Sequence, residues 1–225
     1  KQALAIEQME ELVEANPDNV AVLGFWVMLH GEAPEATTKL REQILPVVRK
    51  IARKVPNFPP YQHLLGHFEW RCGNHALAEA ALERATSLYA EHKENHGLSV
   101  HECDGWIRSQ LYLATAMQSR GKFEEAMSIA VQLSELEVDS ARLGSKGASL
   151  LVWEAKTLPA RLYVARGQEG DFTRAIASLP GKNDPFLEEI KERTLSVFYL
   201  ECLMQYLECR QALEKGEADL SLIHI

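Results

Sequence analysis

Two helical patterns set back to back around Gly73-Asn74 constrain this chain more than any other feature of it. The stretch from Tyr61 to Ala85 reads YQHLLGHFEWRCGNHALAEAALERA. Ala78, Leu82 and Ala85 are spaced by four and then three residues, so they share one helix face. Gly66 lies inside the preceding pattern, where glycine costs about 1 kcal/mol relative to alanine. Close approach of the second helix is the expected reason, with two alanines making room and Leu82 filling the gap. Gly73 can take positive φ and end the first helix, and Asn74 can cap the second through its side-chain oxygen. A tight helix hairpin is predicted.

Leu65-Gly66, Gly73-Asn74, Ala78, Leu82 and Ala85 together resemble the tetratricopeptide repeat, a helix–turn–helix of about 34 residues. Glu69 departs from that pattern, in which a large aromatic or apolar residue is usual, and Trp70 stands beside it. The plan recurs along the chain. Leu23-Gly24 precede Gly31 as Leu65-Gly66 precede Gly73, and Ala36 and Leu40 follow it; Gln43 breaks the match. Leu113-Ala114, Gly121, Ala126, Ala130 and Leu133 give a second clear copy. A weaker one holds Ala160, Tyr163, Gly167, Ala175 and Leu179, with Pro159 in the leucine position and Gln168-Glu169-Gly170 lengthening the turn. In residues 1–16, Ala5, Met9 and Leu12, followed by Pro17, read as a second helix without its first. That orphan, and a chain opening on Lys1, imply a fragment of a longer repeat protein.

The resemblance predicts an all-α fold, a right-handed superhelix of antiparallel helix hairpins forming an α-solenoid over residues 1–225. Its parts are the orphan helix at 1–16, hairpins at 17–57, 58–96, 99–138 and 146–180, and C-terminal helices at 186–225. Turn glycines fall at 31, 73, 121, 167 and 216, so each unit exceeds the usual repeat length. About one or two extra turns on each helix supply the difference. Pro46 is expected to kink its helix. Ser99 and Glu102 read as a capping box opening the next one. Residues 186–215 read as one apolar helix, with Val197, Leu200, Leu203, Met204 and Leu207 along one stripe.

Composition narrows the function classes. Asp plus Glu number 32 against 24 Lys plus Arg, a net charge of −8. A general nucleic-acid binder would carry a basic stripe instead, so no nucleic-acid partner is expected. The four cysteines, Cys72, Cys103, Cys202 and Cys209, form no CxxC pair and read as reduced structural thiols. The longest uncharged apolar run, Val20 to Leu29, is too short to span a bilayer. The expectation is a cytoplasmic protein without a membrane partner. There is no phosphate-binding G-x-x-x-x-G-K-[ST], no G-x-G-x-x-G and no G-x-S-x-G. The pairs Glu124-Glu125 and Glu188-Glu189 sit at helix starts, where they favour the helix dipole. No enzymatic activity and no cofactor are expected.

His63, His67, Trp70 and Arg71 lie along one side of the first helix of the central hairpin. The resemblance implies that this side faces a concave groove. Equivalent offsets from the later turns add Arg108, Leu111, Thr115 and Gln118, then Glu154, Thr157 and Arg161; the earliest pair contributes Ala21, Phe25 and Met28. Aromatic, imidazole and guanidinium groups together suit an extended peptide bearing a carboxylate, which arginine pairs bidentately. The function expected is a protein- or peptide-binding scaffold or adaptor module, its partner and oligomeric state unspecified. The same residues could instead pack between repeats, or a missing segment of the same chain could close the groove. A further alternative is a metal- or small-molecule-binding protein centred on His63 and His67. Leu64 stands where the H-E-x-x-H of zinc proteases has its base, and a third ligand would have to come from Cys72, His75 or the run His101 to Asp104.

Overall fold

Among the described residues every regular element is a helix, so the protein is all-α. The computed structural model describes residues 2–31, 39–100, 102–137, 146–180, 205–213 and 215–216. In chain order the helices are α1 (Gln2–Ala15), α2 (Val20–Gly31), α3 (Leu45–Lys54), α4 (Pro59–Arg71) and α5 (His75–His96). They continue as α6 (Asp104–Ser119), α7 (Phe123–Ser134), α8 (Lys146–Lys156), α9 (Leu158–Arg166) and α10 (Asp171–Ala177). A further helical stretch covers 205–213. The chain divides into two compact units, Lys1–Gly97 and Leu98–Ile225. Ala36, His101, Cys202, the Glu188-Glu189 pair and four members of the C-terminal stripe (Val197, Leu200, Leu203, Met204) lie outside the described residues.

In the first unit α5 folds back along α4. Pro59 and Pro60 open α4, where a missing N–H costs no helical hydrogen bond. Gly73 turns the chain at φ +81°. A Cβ placed on Gly66 would lie 2.4 Å from Leu82 Cγ, so this contact requires glycine. Asn74 does stand at the start of α5, but its side chain caps nothing. Its Nδ2 donates instead to Glu69 Oε2 at 2.7 Å. A buried carboxylate without donors is costlier than an uncapped helix start open to water, and it takes the amide.

Two other local expectations resolve differently. Gly73, Gly121, Gly167 and Gly216 have positive φ, but Gly31 does not. Gly31 ends α2 by letting Phe68 in, since a Cβ there would meet the ring at 2.4 Å. Pro46 falls in the first turn of α3, directly after a π-helical turn at Leu40–Ile44. The helical run is continuous over 39–54, and the wider turn just before Pro46 accommodates the N–H that the proline lacks. Leu23, Val27, Ile44, Val48, Ile51 and Phe68 form the core of this unit.

In the second unit, Ile107, Leu111, Ala114, Ala126, Ala130 and Leu133 join α6 to α7, and Leu151, Leu158 and Leu162 extend that core. Ser99 Oγ and Ser99 N both donate to Glu102 Oε2, at 2.7 and 3.0 Å. They close a turn ahead of α6, which begins at Asp104, so the pair is not a capping box of that helix. Leu207, the described member of the C-terminal stripe, is buried against Ala160, Phe172 and Ala175.

A buried ion pair fixes the turn between α9 and α10. Asp171 is fully buried. Arg166 forks onto it with Nε to Oδ2 at 2.8 Å and Nη2 to Oδ1 at 2.6 Å. Arg174 Nη1 adds a contact at 3.0 Å and the Gln168 N–H another at 3.0 Å. Arg166 in turn lies 3.6 Å from the Phe123 ring centroid on α7, so the network ties three helices together. The Arg166 hydrogen bonds come first among the causes that lower the Asp171 carboxyl from 3.8 to about 2, against the opposing effect of burial. A carboxyl with a depressed folded-state pKa stabilises fully above its unfolded value and loses that contribution as pH falls through the folded one. The expected result is that Asp171 supplies about 1 to 2 kcal/mol above pH 4, after allowing for screening near the surface, and loses it between pH 4 and pH 2. Urea titrations of the wild type and Asp171→Asn at several pH values check this: the stability gap between them should narrow toward pH 2, and a constant gap would refute the assignment.

Candidate functional site

The four residues expected to mark a groove on the central hairpin lie along α4, and all are half-buried. Arg71 is committed to structure. Its Nη1 donates to the Gly31 carbonyl at 2.7 Å, and its guanidinium lies 5.5 Å from the Phe68 ring centroid. The reciprocal contact comes from Arg41, whose Nη2 donates to the Cys72 carbonyl at 2.6 Å. Each guanidinium thus satisfies a carbonyl at the C-terminal end of another helix, where cations are favoured. His67 stands edge-on to Phe68 with centroids 5.0 Å apart. His63 and Trp70 flank it on the same side of α4.

On α2 the corresponding face is open. Phe25 is 59% exposed and Met28 is 55% exposed, with exposed Ala21 one turn before Phe25. The opposite face of that helix, Leu23 and Val27, is buried in the core.

The residues expected from the second unit divide in two. Arg108 is exposed, 3.9 Å from Asp104 one turn earlier. Thr115 Oγ1 donates to the Leu111 carbonyl at 3.0 Å, and Gln118 Nε2 donates to the Leu162 carbonyl at 3.0 Å. Glu154, Thr157 and Arg161 gather at the break between α8 and α9. Pro159 has no N–H to continue the helix there. Thr157 is buried and donates to the Trp153 carbonyl at 2.9 Å. Arg161 Nη2 donates to the Glu154 carbonyl at 2.7 Å. Burial lowers the Arg161 guanidinium pKa, with Glu154 opposing. Thr157 and Arg161 supply the donors that an interrupted helix leaves wanting.

A hollow of about 600 Å³ occupies the other side of the central hairpin. Arg49, Ala52 and Arg53 of α3 form one wall and Gln62, Leu65 and Glu69 of α4 the floor. Leu77, Ala80 and Ala81 of α5 form the opposite wall, and the hollow is open to solvent. Arg49 Nε and Nη2 fork onto the Glu69 carboxylate at 2.7 and 2.9 Å. Sequence reasoning missed this site, although Glu69 standing out of pattern was its one local signal. A polar hollow of about 450 Å³ lies farther along α5, beside Arg84, Glu91, His92 and His96. His96 Nδ1 lies 2.9 Å from the His92 carbonyl. Among the described residues no group of three or more His, Cys, Asp or Glu side chains is arranged to hold a metal ion. His63 and His67 therefore have no third such ligand gathered beside them among those residues. Cys72, Cys103 and Cys209 are in no disulfide, and burial pushes the Cys72 thiol above its ordinary value against the pull of Arg41.

The helices and their contacts define an all-α protein, and among the described residues no helix is long and apolar enough to cross a membrane. No protein-family model matches the chain, and no curated protein matches it.

Proposed function

We propose that this chain is a peptide-binding scaffold module, its helix pairs stacked as a right-handed superhelix of tetratricopeptide type. What carries the reading is the open face of α2. Phe25 and Met28 are large apolar side chains more than half exposed, while Leu23 and Val27 on the same helix are buried. Exposed apolar side chains clustered on one face mark interaction surfaces more often than scattered ones do. The resemblance assigns this face, with His63, His67 and Trp70 of α4, to the ligand. Aromatic and thioether side chains supply contact area, and Met adapts to varied partners. Helices locked by close contacts such as Gly66 on Leu82 lose little entropy on binding.

The test is selection from a displayed peptide library against the purified chain, followed by affinity measurement. Selected peptides should carry apolar anchors. Phe25→Ser/Met28→Ser should weaken them at least tenfold, a loss of about 1.4 kcal/mol or more. The melting temperature should stay near that of the wild type, because both side chains are exposed. Peptides bound equally by the variant, or no enrichment at all, would remove the reading.

A further inference from the structure

We infer that the hollow between α3, α4 and α5 is a binding site for a small amphipathic carboxylate of the medium-chain fatty acid type, separate from the face of α2. Its volume of about 600 Å³ falls within the roughly 300–1,000 Å³ of small-ligand pockets. Small side chains create it: Ala52, Ala80 and Ala81 face the space from two helices. The Glu69 side chain is held to one side by Arg49 and by Asn74 Nδ2. Apart from Arg49, Arg53, Gln62 and Glu69 the lining is apolar, with Pro56, Leu65 and Leu77 added to the alanines. Leu77 is 54% exposed at the edge, an uncovered aliphatic side chain of the kind an alkyl tail would cover.

Charge selects the head group. Glu69 cancels Arg49, whose Nε and Nη2 it occupies, leaving the outer Nη1 of that fork. Arg53 lies one turn farther along α3, exposed, and no carboxylate pairs with it among the described residues. The hollow is therefore locally cationic in a chain of net charge −8. A guanidinium beside an apolar concavity recognises a carboxylate on an apolar body. The head group meets Arg53, and the tail lies over Leu65, Leu77, Ala80 and Ala81.

Octanoate and its neutral counterpart octanamide are the probes, titrated into the intact chain and read by amide chemical shifts and calorimetry. Octanoate should saturate one site per chain and move the amides of α3, α4 and α5. Arg53→Gln should weaken octanoate roughly tenfold and leave octanamide unchanged. Ala80→Trp, on an exposed position, should abolish both while helicity is retained; Leu77→Gln gives a second reading should the tryptophan disturb the fold. Phe25→Ser/Met28→Ser should leave octanoate binding intact, so failure here and failure of the peptide reading are separable. Equal affinity for the two probes, indifference to Arg53→Gln, or no saturable shift at these amides overturns the proposal. So does a short apolar peptide with a free C-terminus that takes the hollow while octanoate does not.

Discussion

Arg49→Met lowers the stability of the Lys1–Gly97 unit by about 3 kcal/mol, whereas Glu69→Leu costs less than about 1 kcal/mol: this asymmetry is the first expected result. The two partners form one fork, but burial treats them unequally. The Arg49 side chain is 40% exposed and that of Glu69 is 3% exposed. Removing the arginine strands a carboxylate in an apolar wall with Asn74 as its remaining side-chain donor. Removing the carboxylate releases an arginine that already reaches water. Leucine in its place adds apolar surface beside Leu65 and facing Ala81 across the hollow. The double variant Arg49→Met/Glu69→Leu should therefore recover most of the loss. Hydrogen exchange of the α4 and α5 amides, read by mass spectrometry, reports on this unit directly. Equal losses from the two single variants would show that the pair is not held as described.

The second large effect concerns Gly66. Alanine favours a helix over glycine by about 1 kcal/mol, so propensity alone predicts that Gly66→Ala stabilises. Packing predicts the opposite sign. The added carbon would sit 2.4 Å from Leu82 Cγ, 2.8 Å from Leu82 Cδ2 and 3.2 Å from the Ala78 carbonyl oxygen. Leu82 is fully buried and the Ala78 oxygen belongs to the backbone of α5, so neither yields freely. The expected net outcome is a loss of about 2 kcal/mol. Leu82→Ala alone should cost about 2–5 kcal/mol by leaving a cavity. Combined with Gly66→Ala it should cost markedly less than the sum, because one change makes the space that the other fills. Additive effects in that cycle would mean the two residues do not touch.

These two results separate what was legible in the chain from what was not. The contact of Gly66 with Ala78 and Leu82 could be read directly, because a tight turn joins two periodic stretches. The same holds for the turn glycines 73, 121, 167 and 216, all with positive φ. Ala21, Phe25 and Met28 on α2 were reached only through the resemblance, by their offset from the turn; their exposure was not legible, because apolar residues at helical spacing read equally well as core. The roles of the polar residues were not legible either. Asn74 has the chemistry of a cap, and Arg71 and Arg161 have that of ligands, until their neighbours are known.

The sequence by itself determined the helices, where they turn and which hairpin closes around Gly66, because backbone sterics and side-chain periodicity act within a few residues. Tertiary structure alone decided that Arg71 would hold the carbonyl of Gly31, 40 residues away, and that Gln118 would hold that of Leu162, 44 residues away. It also decided that Arg49 and Glu69, 20 residues apart, would meet beside an open hollow. The reason is that a buried polar group must find a partner wherever folding places one. A hydrogen bond depends on position in space, and separation along the chain does not encode that position.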